Sequence, residues 1–164
     1  MLPVSLIAES IDRHAANLTL FARGWCLSAE DVTASVFGKF ARLTEAPYDP
    51  AAWLYKVVRR AAIDAGKAER RRAKRERAAA KPEVWFAESA SQELEAEEAI
   101  VALQGLPDDQ RDVIVARLWG DLTLKQIAAV VGCSVSTAHR RYETGLVALR
   151  ERLGAAWPTS SSNR

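Results

Sequence analysis

The stretch GCSVSTAHRRYETG, residues 132–145, places hydroxyl, imidazole and guanidinium groups next to one another. At helical spacing these side chains crowd one exposed face. Such groups donate hydrogen bonds to phosphates and to base edges in the major groove of DNA. His14 and His139 are too far apart for acid/base work, and the two cysteines lack metal-ligand spacing. The stretch therefore predicts binding of DNA rather than catalysis.

Glu143 is an unusual residue for a surface that contacts DNA, because its carboxylate repels phosphates. One hypothesis is that it accepts a hydrogen bond from a cytosine amino group or orients Arg140. The alternative is that it points aside and pairs locally.

The elements that must position this stretch have helix-turn-helix spacing. Ala128 and Ala138 are small where two helices would cross, and Gly132 between them suits a left-handed turn. Thr123 with Gln126 forms a capping box, and Thr123 and Ser134 stand at helix N-termini, where backbone N–H groups meet phosphates. A plain helical hairpin in a bundle would share the small-residue spacing, but not the polar exposed face.

The rest of the chain is also helical in its periodicity, so we predict an all-α fold of two small units joined by a flexible linker. Ser28 and Asp31 indicate a cap for a second helix, and Asp49-Pro50 indicates the start of a third. The predicted boundaries are 1–78 for the first unit, 79–94 for the linker, 95–154 for the helix-turn-helix unit and 155–164 for a tail.

Charge is distributed unevenly although the net charge is only +2. Residues 67–77 carry seven basic and two acidic side chains, and residues 81–100 carry six acidic side chains and one lysine. The basic block predicts phosphate contact, and the acidic block predicts a separate tether. We find no secretory signal pattern and no apolar run of membrane-span length. We expect a cytoplasmic chain with no metal, no cofactor and no membrane partner.

Two sets of motifs carry a resemblance to a known family. The pattern L-P-x-x-x-R, then G-x-L-T-x-x-x-I-A-x-x-x-G, in residues 106–132 resembles region 4 of sigma-70-family RNA polymerase sigma factors. AEDVTASVFGKF (29–40) and PAAWLYKVVRRAAIDAGKAERRR (50–72) are similar to two stretches of region 2 in that family. With only these two regions, the chain resembles the extracytoplasmic-function (ECF) group.

The resemblance implies a non-enzymatic transcription initiation factor that binds RNA polymerase core and recognises promoter −10 and −35 elements. The partners implied are the clamp helices of the largest polymerase subunit, the polymerase flap and promoter DNA. Control is expected from outside the chain, through an anti-sigma factor or through expression level. The −35 contacts would be Thr123, Ser134, Ser136, Thr137, His139, Arg140, Arg141 and Glu143. The −10 contacts would be Trp53, Tyr55, Lys56, Arg59, Arg60, Lys67, Arg70 and Arg71. The polymerase contacts would be Asp31, Val32, Ser35, Phe37 and Lys39.

Two departures from the family pattern are visible in region 2. Ala34 and Ser35 replace a glutamine and an acidic residue in the polymerase-binding helix, and Arg60 replaces an asparagine that reads a flipped base. An arginine offers only donors, which favours a base that presents acceptors.

Two other classes of function share a helix-turn-helix. A stand-alone regulator would bind duplex DNA without polymerase, but it needs a dimerisation element, and no heptad zipper or ligand domain is evident. A serine recombinase needs a mixed sheet domain with a nucleophile among arginines, and the helical N-terminal half offers neither.

Overall fold

The computed structural model describes residues 1–79 and 101–154, and every regular element within them is an α-helix. The predicted all-α fold is therefore confirmed for these residues. The helices are α1 (Val4–Arg23), α2 (Ala29–Ala41), α3 (Pro50–Ala79), α4 (Asp108–Leu118), α5 (Leu124–Val131) and α6 (Val135–Leu153). Residues 101–104 are helical and lead into the turn before α4.

The N-terminal unit consists of α1, α2 and α3, which pack on one another around a shared apolar core. Leu18, Val36, Phe40 and Leu54 have no exposed surface. The ring of Phe21 meets that of Tyr55 edge-on, with 5.2 Å between centroids. Burial of the aromatic side chains fixes α3 across the other two helices.

Of the two caps predicted for helix starts in this unit, one is confirmed and one is wrong. Asp49 caps α3 as predicted, since its Oδ1 accepts from the backbone N–H of Ala52 at 2.9 Å. Ser28 precedes α2 but makes no side-chain cap. Its hydroxyl instead donates to Glu69 Oε1 at 2.7 Å, and Glu69 also accepts from the N–H groups of Leu27 and Ser28. The Glu69 carboxylate from α3 thus takes the place of the local cap predicted from Ser28 and Asp31.

The C-terminal unit folds α4, α5 and α6 into the predicted helix-turn-helix arrangement. Thr123 and Gln126 form the predicted capping box, and Ser134 Oγ accepts from the N–H of Thr137 at 3.1 Å. Gly132 ends α5 in the left-handed region at φ 76°. Ala128 and Ala138 are buried at the helix crossing. These local predictions are confirmed because each depends on residues only a few positions apart.

The two units lie packed together, with α4 against α1 and α5 against α3. The sequence indicated a flexible connection and gave no sign of this contact. Residues 80–94 of the predicted linker and the tail 155–164 lie outside the described residues, so the tether stays a prediction. Helix α3 is described as far as Ala79, and the predicted domain boundaries stay predictions.

We predict that Gly132→Ala lowers the free energy of unfolding by about 1 kcal/mol, because a Cβ in the left-handed region is strained even where space is free. Nothing lies within 4 Å of a Cβ built at Gly132, so backbone strain is the whole expected effect. Urea denaturation measures it. The matched control is Gly38→Ala inside α2, where a Cβ makes ordinary contact and helix propensity should raise stability by about 0.5–1 kcal/mol. Equal effects of the two substitutions would contradict the prediction.

Candidate nucleic-acid interface

The first turns of α6 present an exposed polar face. Ser136, His139 and Arg140 are exposed, and Thr137 is half-buried. At the start of α5, Thr123 is exposed, and Ser134 occupies the same position before α6. Side chains on the first turns of the second helix of such a motif reach base edges, while helix N-termini meet phosphates. The predicted −35 residues thus lie at or after the starts of α5 and α6, and their contacts with DNA stay a prediction.

Three members of this set, Arg141, His139 and Glu143, form charged contacts with other side chains. Arg141 Nε lies 3.0 Å from Asp109 Oδ2 on α4, which holds the guanidinium against the neighbouring helix. His139 Nδ1 lies 3.5 Å from Glu143 Oε2, one turn along α6. The second contact is the local pairing considered for Glu143. Both residues of that pair are more than half exposed, so the pair leaves the carboxylate accessible.

The predicted −10 residues on α3 fall into accessible and covered groups. The accessible ones are Lys56, Arg60, Lys67, Arg70 and Arg71, all exposed. Trp53 is half-buried and packs on Phe40, with ring centroids 5.6 Å apart. Tyr55 has no exposed surface, so the expected base contact by this side chain is wrong for this conformation. Its burial raises the pKa of the phenol.

Arg59 is also covered, and its partner comes from the C-terminal unit. Its Nε donates to Asp112 Oδ2 at 2.7 Å, and Trp25 Nε1 donates to Asp112 Oδ1 at 2.8 Å. The side chain of Asp112 is 1% exposed. Burial raises the pKa of this carboxyl group, while Arg59 and the indole N–H oppose that rise. We call these three side chains the Asp112 contact.

Arg111 adds a second cation beside Trp25. The guanidinium carbons of Arg59 and Arg111 each lie 5.4 Å from the Trp25 ring centroid, a distance at which a cation is attracted to an aromatic face. Arg111 Nη2 pairs with Asp108 at 2.8 Å, but its buried Nε has no hydrogen-bond partner. The indole is therefore held between cations from both units.

The predicted polymerase-binding face of α2 is largely open. Asp31, Ser35 and Lys39 are exposed, and Val32 is half-buried. Phe37 is only 7% exposed, because it packs in the core of the N-terminal unit. Its proposed contact with polymerase is therefore not available in this conformation.

Glu69 anchors the basic end of α3. It lies among the arginines of the basic block, and its carboxylate accepts three hydrogen bonds from residues 27–28, at the start of α2. These donors lower the pKa of Glu69. These hydrogen bonds tie the part of α3 that carries Arg70 and Arg71 to the start of α2, the helix with the predicted polymerase-binding face.

Sequence reasoning missed Trp25, Glu69 and Asp112 as members of a site. Trp25 continues the apolar stripe predicted for the first helix, although α1 ends at Arg23, and Asp112 follows the first-turn acids Asp108 and Asp109 of α4. The one sign that Asp112 is buried was its position in the middle of α4, among residues that are themselves buried. The described residues contain no group of three metal-ligating side chains and no helix suited to cross a membrane.

Comparisons with known proteins agree on the C-terminal unit. Residues 102–151 match the family model described as Sigma-70, region 4. No curated protein matches the chain.

Solved structures extend the likeness to both units. The sigma factor RpoE from Bartonella quintana, in complex with the anti-sigma factor NepR, has a TM-score of 0.69 at 19% identity, over 94% of this chain and 100% of that chain. CnrH, in complex with the cytosolic domain of CnrY, has a TM-score of 0.63 at 21% identity, over 94% of this chain and 92% of that chain. At such identities the likeness establishes a shared fold.

We predict that Glu69→Gln lowers the urea midpoint of unfolding at pH 7, because an amide replaces a carboxylate that accepts three hydrogen bonds. The pKa of Glu69 is lowered in the folded state, so its stabilisation is present above the ordinary value of 4.5 and lost as the pH falls below it. The difference between variant and wild type should therefore shrink at lower pH. Glu76→Gln is the control, since Glu76 is 63% exposed and pairs only with Arg72. A difference that persists undiminished at pH 3 would refute the assigned role.

Proposed function

We propose that the chain is a sigma-70-family protein that binds RNA polymerase core and directs it to promoters by recognising −10 and −35 elements and aiding strand opening. The observation that carries the proposal is the exposed polar face of α6 within residues 102–151, the segment that matches region 4. That face belongs to a formed helix-turn-helix with both helix starts capped. The role requires no catalytic group from this chain.

The N-terminal unit supports the second half of the proposal. Lys56 and Arg60 are exposed on α3, and the helix continues into the exposed arginines of the basic block. Cations in a row along one helix track a nucleic-acid backbone and give affinity without sequence choice. The open face of α2 at Asp31, Ser35 and Lys39 is the surface we assign to the polymerase clamp helices.

A protein inhibitor is a further proposed partner. RpoE was solved with an anti-sigma factor and CnrH with the cytosolic domain of CnrY, and this chain shares their fold over nearly its whole length. We propose that this chain takes an anti-sigma partner of comparable kind, and that it acts in the cytoplasm, where polymerase is found.

The test is reconstitution with cognate core polymerase, followed by sequencing of transcription start sites. We expect initiation at promoters that share a −10 and a −35 element, and little binding of duplex promoter by the chain alone. No stimulation of initiation at any promoter would refute the proposal. Tight binding of the duplex without polymerase would instead support a stand-alone helix-turn-helix regulator.

We predict that Glu143→Ala relaxes the base preference at one −35 position in a promoter library transcribed by the holoenzyme. The reason is that the exposed carboxylate accepts from a cytosine amino group or orients Arg140, although it also lies near His139. Glu151→Ala, at an exposed position farther along α6, is the matched control and should leave every position unchanged. A uniform change of affinity, or no change, would favour purely local pairing with His139.

A further inference from the structure

The two DNA elements of the proposed function set a geometric requirement. They are centred about 25 base pairs apart, which is roughly 85 Å along duplex DNA at 3.4 Å per base pair. A compact chain of 164 residues has a radius of gyration of about 15 Å. The units cannot remain packed as they are here while each holds its own element. The contacts between them must therefore be separable.

The Asp112 contact has the composition of a separable one. Within the described residues, the hydrogen bonds of the Asp112 side chain go only to Trp25 and Arg59, both on the opposite unit. The polar side-chain atoms described as buried without partners, Tyr55 Oη and Arg111 Nε, lie at this same junction, against Gly120 and Gly24 respectively. Such atoms weaken a junction that excludes water from them.

Separation would leave a defined surface on the N-terminal unit. Trp25 would present an aromatic face and an N–H donor, and Arg59 would present a free guanidinium beside it. Arg23 and Arg70 border the groove that continues from Trp25. The carbonyl of Trp25 lies against Gly66 of α3, where a Cβ would clash, so the indole has a fixed backbone beneath it. An aromatic ring with flanking arginines holds an unstacked base and its phosphate.

We propose that Trp25 and Arg59 form a binding site for an unpaired nucleotide, and that the Asp112 carboxylate occupies this site while the two units are packed together. The carboxylate takes the two donors that a phosphate or base oxygen would take, so it competes with single-stranded DNA for them. The inference rests on the proposed function, which supplies the unpaired strand at an opened promoter. Trp25 thereby joins α3 in strand capture, and α4 acts as an internal competitor.

Asp112→Asn tests the competition in the full chain without polymerase. The amide keeps the shape of the side chain but presents a donor to Arg59, which should free the site. The probe is a fluorescein-labelled single strand of about 15 nucleotides of mixed sequence, read by fluorescence anisotropy. We expect binding tighter than wild type by about tenfold or more, since a site that is mostly occupied binds in proportion to its free fraction. Glu151→Gln is the matched control, because it removes one negative charge from an exposed position of the C-terminal unit outside the Asp112 contact, and it should bind as wild type does.

Two double variants test whether the gain in affinity for the single strand arises at the proposed site. Arg59→Gln or Trp25→Phe, each added to Asp112→Asn, should remove most of the gained affinity, because the competitor is already absent and only the site is changed. The gain should also be larger for the single strand than for a duplex of the same sequence. Should Asp112→Asn not fold by circular dichroism, Gly24→Ala replaces it, since its methyl group meets Arg111 and leaves the proposed site intact.

Three results would overturn the inference: no gain from the opening variant, equal gain on duplex DNA, or full retention of the gain in both double variants. None of them bears on initiation, which wild-type holoenzyme reports separately. A chain that initiates transcription but shows no gain keeps its proposed function and loses the internal competitor. A chain that initiates nowhere loses the proposed function, whatever its affinity for the oligonucleotide.

Discussion

A buried carboxylate is the centre of the polar contact that joins the two units of this molecule. Asp112 is almost fully removed from water and accepts one hydrogen bond from an indole and one from a guanidinium of the other unit. Removing one partner of such a buried pair typically costs about 3–5 kcal/mol, because the remaining charge has no compensation. Apolar packing of α4 on α1 and of α5 on α3 also joins the two units, and their buried apolar residues form one continuous cluster. The junction between the units therefore combines apolar packing with a polar contact that water or another anion can replace.

The Asp112 contact also divides the cations of α3 into exposed ones and one that is paired with the other unit. The exposed ones, Lys56 and Arg60, remain available in the packed arrangement. Arg59 is neutralised by Asp112 and becomes available only when α4 moves. Under the proposed function, the exposed cations would attract a phosphate backbone before the units separate and the Trp25 indole is uncovered.

The sequence was informative wherever the determinants are local. The caps at Asp49, Thr123 and Ser134 and the left-handed Gly132 follow from residues within a few positions. Ser28 escaped the same reasoning because Glu69, 41 residues away, competes for its hydroxyl. The Asp112 contact could not be predicted for the same reason, since Arg59 and Trp25 are 53 and 87 residues away from Asp112 in the chain. Side-chain pairing between units produces no periodicity in the sequence. Tyr55 and Arg59, which were both assigned to DNA contact, are therefore buried or paired in the structure.

Gln126 shows what separation of the units would leave unchanged. Its Oε1 accepts from Thr123 within the capping box, while its Nε2 donates to Asp49 of the N-terminal unit at 2.5 Å. Loss of the Asp49 bond leaves the cap intact, so the helix-turn-helix needs no refolding when the units separate. Under the proposed function, the affinity for a promoter would scale with the fraction of molecules whose units are already apart. A change of one hydrogen bond at the junction would thus alter promoter affinity without altering the residues proposed to contact DNA.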